Sequence, residues 1–395
     1  MTTTAESLVG AEAELDVGPV AHGGHCVARW DGRVVFVRHT LPGERVRVRV
    51  TEGDTASRFL RADAVDVLEP APGRVEPPCP YAGPGRCGGC DFQHVAPQPQ
   101  RALLAEVVAE QLQRLAGLGV EVRVEPVPPD DLGWRTRMGW TVGDDGRVGL
   151  RRHRSHEVEA VGRCRIAHPE IAAPPDAPTG VSRLDVAWSS TGQRAVLADG
   201  QRLDGPAHLV EEVRGRALRV SGSGFWQVHP AAARTLVDAV LALGAPRPGE
   251  RALDLYAGVG LFTAFLGDAV GADGSVVLVE GDRGALRDAR RNLHASPQVR
   301  IVPGRVDQAL STGQCGDAAE LVVLDPPRTG ARAPVVRGIA ALHPERVVYV
   351  ACDPAALARD VATFAEEGYR LAELRAYALF PMTHHVECVA LLRPR

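Results

Sequence analysis

The 395-residue chain contains no lysine; all 45 of its basic residues are arginine. The lysine-free composition follows from genomic bias and assigns no function by itself. Arginine nevertheless suits phosphate, because its planar fork donates paired hydrogen bonds and stacks on bases. No apolar run approaches the ~18 residues of a membrane helix, so a spanning protein is not expected. Met1 to Gly10 lacks the basic-then-apolar order of a secretory leader, and a cytoplasmic location is expected. No internal repeat is visible. The net charge of −4 lacks the positive excess of a typical nucleic-acid binder. Eight cysteines in a cytoplasmic chain do not read as a disulfide framework.

What is present is local. Arginine clusters at Arg29, Arg33, Arg38, Arg45, Arg47, Arg49, Arg58 and Arg61, and again from Arg135 and Arg137 to Arg163 and Arg165. An acidic whole with basic faces is compatible with RNA binding. Three cysteines, Cys79, Cys87 and Cys90, lie close together while the rest are scattered, which favours a metal site plus individual thiols. Cys26, Cys315 and Cys388 read as buried apolar thiols.

The pattern divides the chain into three. Residues 1–70 alternate apolar and polar side chains in short runs, such as Arg33–Val37 and Glu44–Val50, with turns at Asp31-Gly32 and Pro42-Gly43. A small β-barrel is expected there. A proline-rich linker opens the 71–225 segment, which carries the cysteines, an amphipathic helix over 101–117 that could pack on the next unit, and strand-like runs at Arg137–Val142 and Val181–Trp188. Residues 226–395 alternate strand and helix, the signature of a doubly wound α/β sheet. Its expected strands are Ala252–Leu255, Val276–Val279, Val299–Val302, Leu321–Leu324, Val347–Val350 and Val386–Leu392.

Three features in that last segment point to a nucleotide-like cofactor. Asp254-Leu-Tyr-Ala-Gly-Val-Gly260 follows a strand and opens a helix, and Gly258 and Gly260 let the backbone approach a ligand. Glu280 ends the next strand, where a carboxylate can accept ribose hydroxyls. Asp325, in Leu324-Asp-Pro-Pro-Arg, leaves another strand toward the crevice where such sheets bind ligands.

Two further segments carry chemistry. Val348-Tyr-Val-Ala-Cys-Asp-Pro354 puts a thiol, Cys352, between a β-run and a proline turn, and His385-Val-Glu-Cys-Val389 puts a carboxylate, Glu387, in a second run. A thiolate adding at carbon 6 of a uracil makes carbon 5 an enolate carbon able to attack an electrophilic methyl group. A base must then remove the carbon 5 hydrogen before the thiol leaves. Cys352 fits the nucleophile and Glu387 the base.

With these motifs in order, and with Phe380-Pro-Met-Thr-His-His-Val-Glu-Cys-Val389, the chain resembles the RNA uracil-C5 (5-methyluridine) methyltransferase family. The branch it resembles carries a TRAM domain and an iron–sulfur cluster. The resemblance covers nearly the whole length. It implies an N-terminal TRAM barrel that binds RNA, a central mixed α+β iron–sulfur domain, and a C-terminal Rossmann-like class I methyltransferase domain. S-adenosylmethionine is the implied methyl donor, with Gln227, Tyr256, Glu280 and Asp325 as its implied contacts. The implied cluster ligands are Cys79, Cys87, Cys90 and Cys164. Four thiolates can hold a [4Fe–4S] cluster, with a structural zinc as the alternative. Arg135 and Arg137 are candidate phosphate contacts. Ribosomal RNA, 23S in particular, is the implied substrate, with transfer RNA the alternative. A small-molecule methyltransferase and a non-catalytic RNA-binding protein are the readings outside the class, and neither requires the barrel, Cys352 and Glu387 together.

The sequence also departs from that family. The first cysteine gap is seven residues rather than five, His229 and Leu261 stand where asparagine is usual, Arg305 stands at an expected polar contact, and Asp353 replaces the asparagine after the nucleophile.

Overall fold

The computed structural model describes residues 5–395; the first four residues, which belong to the expected 1–70 unit and to the stretch read for a leader, lie outside them. Six strands form the first sheet: β1 (Glu12–Asp16), β2 (Val20–Ala21), β3 (His25–Trp30), β4 (Arg33–Arg38), β5 (Arg45–Glu52) and β6 (Phe59–Glu69), in the order β1-β5-β6-β4-β3-β2. Backbone bonds from Gly18 N to Val27 O and from Val27 N to Pro19 O extend the β2–β3 pairing back toward the end of β1. On β5 the alternation works as read: Val46, Val48 and Val50 are buried, and the arginines between them point outward. Those arginines are not free. Arg45, Arg47 and Arg49 pair with Glu14, Asp66 and Glu12 at 3.2, 3.6 and 2.8 Å.

After the linker comes α1 (Pro97–Ala116), which starts earlier than the expected 101 because Pro97 and Pro99 sit in a first turn that needs no N–H donors. It ends at Gly117, whose φ of +67° gives the left-handed cap. Next is the short β7 (Val124–Pro126). A second six-stranded sheet follows, antiparallel throughout: β8 (Arg137–Val142), β9 (Val148–Arg151), β10 (Val158–Glu159), β11 (Arg183–Trp188), β12 (Arg194–Ala198) and β13 (Gln201–Asp204). Trp134, Trp140, Met138, Ile166 and Leu184 fill its core. A hairpin of β14 (His208–Val213) and β15 (Arg216–Ser221) leads out.

The remainder alternates as read: α2 (Ala232–Gly244), β16 (Arg251–Leu255), α3 (Leu261–Val270), β17 (Ser275–Glu280), α4 (Arg283–Asn292), β18 (Val299–Pro303), α5 (Val306–Ser311), β19 (Leu321–Leu324), α6 (Arg332–Ala340), β20 (Arg346–Ala351), α7 (Pro354–Glu366), β21 (Tyr369–Ala378) and β22 (Glu387–Pro394). The eight-stranded sheet runs β18-β17-β16-β19-β20-β22-β21-β7. β16 to β20 are parallel, β22 is antiparallel to β20 and β21, and β7 adds in parallel to β21. The helix expected over 101–117 lies against α7. Thus α1 and β7 pack with the α/β layer although they precede it by about a hundred residues.

Candidate active site and cysteine cavity

The parallel strands deliver their carboxyl ends to one rim, where ligands bind in open α/β sheets. β16 ends at Leu255, paired with Leu324 on β19. Leu324 pairs with Tyr349 on β20. At the β20–β22 ladder Ala351 faces Cys388, so Cys352 and Glu387 occupy the next step of the same register. Asp325, Cys352 and Glu387 therefore share one corner, although 62 residues separate Asp325 from Glu387 in sequence.

Electrostatics record that closeness. Burial, then the charges of Glu387 and Asp325, push the Cys352 thiol up to about 12, and Arg328 works against them. Burial and then Asp325 hold the Glu387 carboxyl well above the usual carboxylate range, again opposed by Arg328. Burial, with Asp254 beside it, pushes Asp325 up to about 7. Without a bound cation the corner therefore disfavours the charged forms of all three groups. Arg328 donates to His385 Nε2 at 3.3 Å. The His385 ring can accept because burial, with His384 and Arg328, pushes it down to about 3.

The glycine loop is strained and anchored. Tyr256 takes a φ of +62°, sparsely populated for a side chain of its kind. Gly260, at φ +88°, caps α3, and a Cβ there would sit 2.8 Å from Leu293. Gly258, at φ +56°, faces open space. Glu280 accepts from Gly258 N at 2.8 Å and from Asp282 N at 2.6 Å, leaving each carboxylate oxygen one lone pair for a ligand. Asp254 is fully buried and accepts from Thr263 N at 2.8 Å, with its other oxygen unpartnered. Gln227 is buried in the segment between β15 and α2. His229 there accepts from Ala231 N at the start of α2 and meets the Pro129 carbonyl at 3.1 Å. Leu261 is buried inside α3, and Arg305 pairs with Asp307 at 2.7 Å on the surface.

Cys79, Cys87, Cys90 and Cys164 line one cavity of about 200 Å³. Burial raises the thiols of Cys87, Cys90 and Cys164, and each feels its neighbours in the quartet. The donor set is all thiol, which suits a soft metal centre. Among the described residues no group of three or more potential ligands closes tightly enough for a single metal ion. Cys26, Cys315 and Cys388 are buried free thiols, as read.

Arg135 and Arg137 are half-buried rather than on an open basic surface. Arg135 lines the cysteine cavity and donates to the Arg137 carbonyl. Arg137 donates to the Gly224 carbonyl and pairs with buried Glu211 at 3.8 Å. Arg137 opens β8 and still has guanidinium nitrogens without a partner, while Arg135 lies just before that strand.

Sequence reasoning missed the joint behind the site. Asp91, next to Cys90, receives both the ring and the backbone N–H of His384. Met382 carbonyl accepts from Asp91 N and Phe92 N at 2.9 and 3.0 Å, and Gln100 accepts from Met382 N at 2.9 Å. Gly24, in the β2–β3 turn, presses on the same spot: a Cβ there would lie 2.7 Å from His384. The only signals were the His-His pair before Glu387 and an acid directly after a cysteine.

Comparison with known proteins places this arrangement. A TRAM domain model matches residues 6–65, and a tRNA (Uracil-5-)-methyltransferase model matches residues 315–395. An uncharacterized RNA methyltransferase of Streptomyces coelicolor is 49% identical, over 98% of this chain and 94% of its own length. The 23S rRNA (uracil(1939)-C(5))-methyltransferase RlmD of Alkalilimnicola ehrlichii is 32% identical, over 96% of each chain. The chain belongs to the RNA uracil-C5 methyltransferase family. A solved member of similar shape is the tRNA (uracil-54, C5)-methyltransferase of Pyrococcus abyssi in complex with S-adenosyl-L-homocysteine, with a TM-score of 0.72, 21% identity, and coverage of 95% of this chain and all of that one. The α/β layer thus has the class I methyltransferase fold of the family, preceded by a TRAM domain. Among the described residues no helix is long and apolar enough to cross a membrane.

Proposed function

We propose that the protein methylates carbon 5 of a uridine in RNA, most specifically in 23S ribosomal RNA, with S-adenosylmethionine as the consumed methyl donor. The carrying observation is the β20–β22 register, which sets Cys352 and Glu387 side by side at the rim beside Asp325. The RNA choice rests on the ribosomal relative that matches from end to end. Transfer RNA is the second reading, supported by the likeness to the archaeal enzyme.

The chain's residues divide the work. Gln227, Tyr256, Gly258, Gly260, Glu280 and Asp325 hold the donor, with Glu280 facing its ribose. Cys352 Sγ bonds to uracil carbon 6, and the ring electrons pass to the carbon 4 oxygen. Carbon 5 then takes the methyl group as the donor's methyl–sulfur bond breaks. Glu387 removes the carbon 5 proton, the carbon 6–sulfur bond opens, and the thiolate is regenerated. In the free protein burial disfavours the charged form of both groups. The donor's sulfonium charge, placed beside Asp325, favours the ionised forms that the reaction needs. The target base must leave its stack to reach this corner.

We assign the cysteine cavity to a [4Fe–4S] cluster held by Cys79, Cys87, Cys90 and Cys164, which would organise its loop rather than exchange electrons in the methylation. The division into units of 1–70, 71–225 and 226–395 is kept, with α1 and β7 packed on the last of them. A cytoplasmic location follows from such a substrate.

The test uses labelled methyl donor with in vitro transcribed 23S rRNA and tRNA. Label should enter a 23S uridine as 5-methyluridine. Cys352→Ala should abolish transfer, and Glu387→Gln should accumulate a protein–RNA adduct that resists denaturation. Normal turnover by Glu387→Gln would remove that residue from the mechanism, and label only in tRNA would replace the ribosomal reading.

A further inference from the structure

Not all of the positive charge that the sequence clusters is available to an RNA strand. The arginines of β5 are paired with carboxylates, and Arg135 and Arg137 are half-buried. Beside the nucleophile the situation reverses. An open groove of about 600 Å³ is lined by Arg328, Arg332 and Arg359, together with Thr329, Ala355, Asp353 and His22. All three arginines are exposed, and among the described residues none of them pairs with a carboxylate.

The single acid on this groove does not cancel them. Asp353 caps α7 by accepting from Ala356 N at 2.7 Å, and its other oxygen meets His22 Nε2 at 3.0 Å. Those contacts outweigh burial and hold its carboxyl below the usual range. His22 comes from the first sheet, so the groove is walled by two parts of the molecule. Its floor follows directly on Cys352, and Arg328 lies near enough to act on both Cys352 and Glu387.

We propose that this groove is the seat of the phosphates flanking the flipped uridine, with Arg332 and Arg359 gripping the strand outside the base pocket. The proposal rests on the reading that the substrate is RNA. A base that reaches Cys352 carries its own phosphodiesters past this opening, whereas an acidic protein docked there would bring no reactive group. Guanidinium forks suit the two free oxygens of each phosphate. Asp353 has a job in this arrangement that an asparagine would do less well: its charge holds His22, and with it the barrel wall, against the nucleophile's loop.

The experiment compares the full-length protein with the double variant Arg332→Ala/Arg359→Ala. Both side chains are exposed, and donor affinity measured by calorimetry serves as the folding control. The probe is a uridine-containing single-stranded oligoribonucleotide, titrated at several salt concentrations. The variant should bind it at least about tenfold more weakly, and the slope of log affinity against log salt should fall by about 1.4, or 0.7 per lost phosphate contact. Arg332→Lys/Arg359→Lys should restore much of the slope. An unchanged affinity and slope with normal donor binding overturns the groove assignment while leaving methylation of RNA by the parent protein intact. Loss of poly-glutamate binding with RNA binding untouched assigns the groove to an acidic protein and also overturns the proposal. A parent protein that methylates no RNA refutes the functional reading itself.

Discussion

The His384 ring nitrogen Nδ1 lies 2.6 Å from an Asp91 carboxylate oxygen, across 293 residues of sequence. Asp91 follows Cys90 in the cysteine loop, and His384 precedes Glu387 by three residues. Burial alone would raise the Asp91 carboxyl, but His384 and Arg38 outweigh it and keep it below the usual range. The Asp91 carboxylate is therefore kept in its accepting form, and the contact fixes the approach to the candidate base.

Asp91→Ala should accordingly lower the rate of methyl transfer by on the order of 10- to 100-fold, since small displacements of a reacting group are costly. Asp91→Asn, which keeps an acceptor, should lose less. Single-turnover kinetics at saturating RNA checks both, and donor binding should be nearly unaffected because the glycine loop lies elsewhere.

Thiol reactivity offers a second check. Cys352 sits near pKa 12 in the free protein, so its alkylation by iodoacetamide should still be rising with pH above 9. Arg328 lowers that pKa, so Arg328→Ala should slow alkylation at fixed pH by about 3- to 10-fold. The residue modified is identified by peptide mass spectrometry. A rate that levels off near pH 7 would contradict the burial of the thiol.

Gly260 is the position in the donor loop that tolerates least. Its φ of +88° and the 2.8 Å approach to Leu293 mean that Gly260→Ala should cost about 1–3 kcal/mol in denaturant unfolding and weaken donor binding. Gly258→Ala meets no neighbour, so its cost should be mainly conformational.

For the cysteine cavity, protein purified without oxygen should carry about four irons per chain and absorb broadly in the visible. Cys87→Ser should remove both signals. One zinc per chain instead would return the quartet to a structural ion.

Much of this was legible in the sequence, for physical reasons. Val276–Val279, Leu321–Leu324 and Val347–Val350 are buried on both faces of a parallel sheet, and such strands read as unbroken apolar runs. β21 was not legible: Tyr369–Ala378 has no β-branched residue, and its charged positions break the alternation. β7 is three residues long and is held by a partner about 250 residues away. Cys352 and Glu387 were each readable from motif and position, while their adjacency is a matter of strand register. How far Arg135 and Arg137 are covered was not legible, because a cluster in sequence says nothing about which way side chains turn. The Asp91–His384 joint was invisible because neither residue type is unusual where it stands.

The α/β layer takes its helix α1 and edge strand β7 from a stretch that leaves the ribosome long before the rest of that layer exists. Nascent chains would therefore hold a solvent-exposed apolar helix face, including Leu104, Val108 and Leu112, until α7 emerges. Expression of residues 226–395 alone should yield an aggregating fragment, and co-expression of residues 1–126 should rescue it only if the two pieces meet before the exposed β21 edge finds another copy.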